Sequence, residues 1–159
     1  MTDCVVYCVD TETGSDNVQI YETHSEAETE QVGAEFAAGL PDGTVVAFYG
    51  ELGSGKTAFV RGMARGMGLR CRVSSPTFTI VNEYSGDREL FHFDMYRLAS
   101  GDELFDIGWE DYLARGAVCA VEWSENVADA FTGEEITVRF EKTGPTDRRI
   151  LIEGGDRKC

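Results

Sequence analysis

Apolar positions recur along this chain with two periods, and the changes of period mark out its elements. From Val18 to Thr23 they alternate, as in a half-buried opening strand. Ser25-Glu26-Ala27-Glu28 is a capping-box pattern, with Ser25 as N-cap. The helix it opens carries Ala27, Val32, Phe36 and Ala37 at roughly helical spacing and ends near Gly39. Pro41-Asp42-Gly43 is a turn before the apolar run Thr44–Tyr49, a buried strand. A second helix begins near Lys56 and continues through Met67. Val73–Phe78 leads to a β-forming stretch, Thr79–Tyr84. Ser85–Arg88 turns the chain into a strand from Glu89 to Phe93. So short a connection makes those two strands antiparallel. Ser100–Leu104 reads as a helical turn and Trp109–Leu113 as a further helix. Ala117–Val121 is continuously apolar, as befits a central strand covered on both faces. Glu135–Glu141 and Arg148–Glu153 alternate and form a hairpin through Gly144-Pro145.

The pattern predicts an α/β fold in three layers around a mixed, partly antiparallel sheet. No repeat or low-complexity linker divides residues 1–159, so one domain is expected. Residues 1–17 form an N-terminal extension whose polar end, Thr11–Asn17, suggests a short hairpin or a loose arm of unknown role.

Candidate chemistry begins where the first buried strand ends. Gly50-Glu51-Leu52-Gly53-Ser54-Gly55-Lys56-Thr57 matches G-x-x-x-x-G-K-[ST] at every fixed position, with a strand before it and a helix after. This is the phosphate-binding (Walker A) loop of nucleoside triphosphatases. Its glycines let successive N–H groups turn inward toward phosphate oxygens. The helix start adds the equivalent of roughly half a positive charge. Lys56 supplies a full charge for the β- and γ-phosphates, and the Thr57 hydroxyl is suited to Mg²⁺. Such a loop works with a carboxylate at the end of a neighbouring strand. Asp94 and Glu122 both qualify. Glu122 follows the more deeply buried strand and is favoured for the metal side, which leaves Asp94 to orient water or hold a switch segment. Ser75-Pro76-Thr77 is a stiff hydroxyl-bearing loop suited to sensing a γ-phosphate. His92, between Phe91 and Phe93, points to the opposite face from both and reads as a hydrogen-bonded structural residue. Trp123 is open to packing or base stacking.

Composition narrows the partners. The chain has 159 residues, 42% hydrophobic and 27% charged, as in an ordinary globular protein. Against 29 acidic residues stand 14 basic ones, three of them lysines, for a net charge of −15. Nucleic-acid binding draws on many cationic contacts, so any role on RNA is expected to run through a protein partner. Five scattered cysteines (Cys4, Cys8, Cys71, Cys119 and Cys159) contain no C-x-x-C pair and indicate neither a zinc site nor a disulfide framework. The first residues lack a basic leader, and no apolar run is long enough to cross a bilayer. A cytoplasmic location without membrane contact is the expectation.

Between Ser25 and Val127 the chain resembles the TsaE (YjeE) family, small ATPases of bacterial tRNA threonylcarbamoyladenosine synthesis. Four blocks carry the resemblance: the loop Gly50–Thr57, Ser75–Tyr84, His92–Leu98 and Val121-Glu122-Trp123. It implies an ATP- and Mg²⁺-dependent ATPase, slow alone, that sustains turnover of TsaD and TsaB. TsaD transfers a threonylcarbamoyl group to adenosine 37 of tRNA, so tRNA is contacted only through the complex. It implies that Gly50, Leu52, Gly53, Ser54, Gly55, Lys56, Thr57 and Ala58 bind nucleotide. Thr57 and Glu122 then hold the metal, and Lys56, Asp94, Glu122 and Thr77 belong to the hydrolytic or switch machinery. Glu26, at the first helix start, is a further nucleotide contact. Ala58 stands where many members have a second threonine, which removes a hydroxyl contact to the α-phosphate. A stand-alone P-loop small-molecule kinase is the alternative, although no Arg-rich lid follows Asp94: only Arg97 and then Arg115 occur. A GTP switch would need an Asn-Lys-x-Asp string, which is absent.

Overall fold

The computed structural model describes residues 5–10, 17–76 and 79–154. Its centre is an eight-stranded sheet. In chain order the strands are β1 (Val5–Asp10), β2 (Asn17–Thr23), β3 (Val45–Tyr49), β4 (Val81–Ser85), β5 (Glu89–Asp94), β6 (Val118–Glu122), β7 (Ile136–Lys142) and β8 (Arg148–Glu153). Across the sheet they run β1-β2-β8-β7-β3-β6-β5-β4. β7, β3, β6 and β5 are mutually parallel, and antiparallel partners extend the sheet on both sides. The mixed sheet and both expected antiparallel pairs, β4–β5 and β7–β8, are present. The expectation for the N-terminal extension lies partly outside the described residues. Within them, β1 pairs with β2, Val5 opposite Glu22.

Among the described residues four α-helices cover the faces: α1 (Glu26–Ala38), α2 (Lys56–Gly66), α3 (Gly101–Asp106) and α4 (Trp109–Ala114). Strand periodicity assigns each core its side chains. Val46, Phe48, Leu90, Val118 and Ala120 pack with Phe36, Phe59 and Met63 of α1 and α2. Phe91, Phe93, Cys119 and Val121 pack on the other side with Leu104 and Trp109 of α3 and α4. β6 is buried at every position, as its unbroken apolar run requires.

The Ser25 cap is formed: its hydroxyl accepts from the Glu28 amide at 3.1 Å. The reciprocal arm differs from the expected box, because the Glu28 carboxylate accepts from the His24 amide. β4 starts at Val81 because Ile80 lies in the left-handed region, φ 69°.

The two long helices touch backbone to backbone. A Cβ placed on Gly62 would lie 1.9 Å from the Glu30 carbonyl oxygen, and one on Gly66 2.1 Å from that of Ala34. These contacts bring the starts of α1 and α2 to one end of the sheet, beside the carboxyl ends of β3 and β6.

Candidate active site

The loop between β3 and α2 curls through three glycines at positive φ, Gly50 (155°), Gly53 (74°) and Gly55 (105°). Gly55 is the N-cap of α2, so the helix opens with Lys56 and Thr57 in its first turn. The first amides of a helix have no intrahelical acceptor and face whatever lies before it. Before this one lies a cavity of about 500 Å³, with walls that include Glu26, Thr29, Ser75, Asp94, Tyr96, Trp123 and Arg148.

Of the residues singled out from the sequence, Leu52, Gly53, Gly55, Lys56, Thr57, Ala58, Glu26, Asp94 and Glu122 line this cavity. Gly50 and Ser54 shape the loop from behind. A Cβ on Gly50 would stand 2.7 Å from Ser54 Oγ, and Ser54 is fully buried. Thr77 lies outside the described residues.

Strand register brings the two carboxylates together. Asp94 and Glu122 are cross-strand partners at the carboxyl ends of β5 and β6. Glu122 is 3% exposed, and its Oε1 accepts from Thr57 Oγ1 at 3.2 Å. Its Oε2 lies 3.3 Å from His92 Nε2. Asp94 accepts from the Tyr96 amide at 3.0 Å and from Ser75 Oγ at 3.5 Å. Glu122 thus sits against the loop, and Asp94 against the segment that precedes β4.

Lys56 is 6% exposed. Burial lowers its pKa from the ordinary lysine value, while Glu122, Glu125 and Asp94 pull the other way. Its ammonium donates to the Gly50 carbonyl and lies 3.9 Å from the centroid of the Trp123 ring. Trp123 therefore belongs to the cavity wall. It holds a left-handed φ of 58° and its ring centroid is 5.0 Å from that of Tyr96.

Two site features escape sequence reasoning. Arg148 reaches the loop from β8 and donates to the Gly53 carbonyl at 3.2 Å, a pairing 95 positions apart. Its position on an alternating strand gave no signal. His92 faces away from Phe91 and Phe93 as expected, but the expected hydrogen bond is absent: among the described residues neither ring nitrogen has an aligned partner.

The donor set suits a hard divalent cation shared with phosphate. One hydroxyl and one carboxylate are hard oxygen ligands, too few to cage an ion alone. Among the described residues no group of three or more His, Cys, Asp or Glu could hold a metal ion. Mg²⁺ typically takes one or two protein oxygens and completes its shell with phosphates and water, which these residues fit.

The sheet, the loop at the end of a parallel strand and the flanking helices define the three-layer P-loop nucleoside-triphosphatase fold. Comparison with known proteins narrows this. The model of the family "Threonylcarbamoyl adenosine biosynthesis protein TsaE" matches residues 23–150, and the chain belongs to that family. The protein of that name from Treponema pallidum is 39% identical over 113 residues, covering 71% of this chain and 84% of the relative. Its Bacillus subtilis counterpart is 36% identical over 133 residues, 83% of each. The crystal structure of Bacillus subtilis YdiB superposes with a TM-score of 0.76 at 29% identity, covering 89% of this chain and 88% of that one.

Proposed function

We propose that this chain is a single-domain, Mg²⁺-dependent ATPase that serves threonylcarbamoylation of adenosine 37 in tRNA, acting with TsaD and TsaB. The observation that carries the ATPase reading is the Thr57–Glu122 contact of 3.2 Å beside a nearly buried Lys56, at the inner end of the cavity. Family membership and the names of the relatives support the pathway.

In this reading the loop amides and Lys56 bind the phosphates, and nucleotide draws the ammonium off Trp123 and the Gly50 carbonyl. Thr57 and Glu122 hold Mg²⁺, which neutralises phosphate charge when bound. Asp94 and Ser75 face the cavity from its other side, where they orient water or register the terminal phosphate. By resemblance to the family Thr77 shares that role, and Glu26 and Arg148 flank the nucleotide. With a net charge of −15, the chain reaches tRNA through its partners. Among the described residues no helix is long and apolar enough to cross a membrane; a role in tRNA modification points to the cytoplasm.

The kinase alternative loses its second arginine. Arg115 donates to Glu83 at 2.8 Å and Glu89 at 3.4 Å and stacks on Phe91 at 4.4 Å, away from the cavity.

Calorimetry with ATP and Mg²⁺ tests the site. Wild type should release heat of association, and Lys56→Ala should lose hydrolysis and bind weakly. No binding by folded wild type, or unchanged turnover in the variant, defeats the ATPase reading. Reconstituted tRNA modification that proceeds equally without this chain defeats the pathway reading alone.

A further inference from the structure

His92 interrupts an otherwise apolar stretch of β5. Leu90, Phe91 and Phe93 around it are fully buried, and so is the imidazole. A buried polar ring without hydrogen bonds is disfavoured, so its retention calls for a physical reason. Among the described residues it is paired with Glu122, 3.3 Å from Nε2. The two residues are diagonal neighbours on adjacent parallel strands, since Ala120 is the register partner of His92. Both project to the α2 face. His92 is not part of the cavity wall, so it touches Glu122 and not the space a ligand would fill.

The carboxylate is thereby flanked on two sides. Oε1 faces Thr57 on α2, and Oε2 faces His92 on β5. An isolated glutamate on a strand end has three side-chain torsions to fix. A contact to each oxygen removes most of that freedom before any ligand arrives, as outer-shell partners do for ligating carboxylates.

We propose that His92 is a positioning residue for Glu122: its Nε2 side restrains Oε2 and so keeps Oε1 directed at Thr57 and the cavity. The inference rests on the nucleotide–metal reading of the site. The consequence is selective. Losing the imidazole should weaken the metal-dependent part of nucleotide binding and leave the loop's own grip on phosphate intact.

Two amide substitutions separate reach from polarity. In His92→Gln the amide nitrogen extends about as far as Nε2, whereas in His92→Asn it stops short, near the position of Nδ1. ADP binding to the full chain is measured by calorimetry without metal and across a Mg²⁺ titration, with thermal melts to establish folding. Metal-free affinity should stay within about twofold in both variants. Half-saturation by Mg²⁺ should rise about 10-fold or more in His92→Asn and return most of the way in His92→Gln, within the range typical of outer-shell substitutions. Equal Mg²⁺ dependence in wild type and His92→Asn overturns the proposal. So does an equal loss in both variants, or a loss that appears without metal. The double variant His92→Asn/Glu122→Gln supplies a second measurement. If His92 acts through Glu122, adding His92→Asn to Glu122→Gln should change Mg²⁺ half-saturation less than twofold, and full additivity overturns the assignment. Should wild type itself bind ADP with no Mg²⁺ dependence, the metal reading fails and this proposal fails with it.

Discussion

Glu122 brings a carboxylate into a place that is almost closed to water, where an uncompensated charge is costly. The Thr57 hydrogen bond and the nearby Lys56 charge offset that cost, and His92 lies against the second oxygen. Asp94, its register partner, sits at the cavity wall and is tied to the Tyr96 amide and Ser75. The pair thus divides by location into a loop-side and a solvent-side acid. Glu122→Ala and Asp94→Ala should each keep the fold and lower ATP hydrolysis at least about 100-fold, as loss of one key electrostatic group does. Single-turnover hydrolysis with a circular-dichroism control checks this, and normal rates in both would show that the acids serve structure alone. Both residues were legible because each ends a strand in the sequence pattern. Sequence reasoning favoured Glu122 as the acid on the Thr57 side, and the parallel pairing of β3 and β6 is what brings these residues, 65 positions apart, into contact.

Among the helices, α1 and α2 pack backbone against backbone. Gly62 and Gly66 let the helix backbones meet, and Gly33 does the same from α1, where a Cβ would lie 2.3 Å from the Phe59 carbonyl oxygen. The neighbours are main-chain atoms, so no side chain can swing aside. Gly62→Ala should destabilise the fold by about 3 kcal/mol, the upper part of the usual range for overpacking. For a domain of this size the melting temperature should fall by roughly 6–12 °C, read by calorimetry. A melt within a degree or two of wild type would mean that the helices separate freely. Helical periodicity found both helices, but it treats glycine only as a weak helix former. It carries no information about which partner backbone a glycine admits. The hairpin β7–β8 was legible for the opposite reason, since its alternation and its Gly144-Pro145 turn are local. Its role as a cavity wall depends on Arg148 reaching Gly53 across the sheet and was not.

For the whole molecule, contacts distant in sequence close the site. His24, just before α1, pairs with Asp147 in the β7–β8 turn at 2.9 Å. The hydrogen bond to Asp147 is the main reason its pKa is raised above 6.5, with nearby acids adding to the effect and slight burial opposing it. The sign follows directly. A raised histidine pKa adds stability that is fully present below about 6.5 and is lost as pH climbs through the raised value. Proton NMR titration of His24 should show that elevation, and Asp147→Asn should return it toward 6.5. An unchanged midpoint in the variant would place the cause elsewhere. The contact is solvent-exposed, so it orients the turn more than it supports the fold. The order of strands has a further outcome. β2 finds one neighbour in β8, Val18 opposite Glu153. A ribosome extrudes β2 early and β8 more than a hundred positions later, and until then one flank of β2 has nothing to bond. Nascent chains of this topology therefore pass through an interval with a bare strand edge, a state prone to wrong pairing with other chains and one that a holdase chaperone could shield.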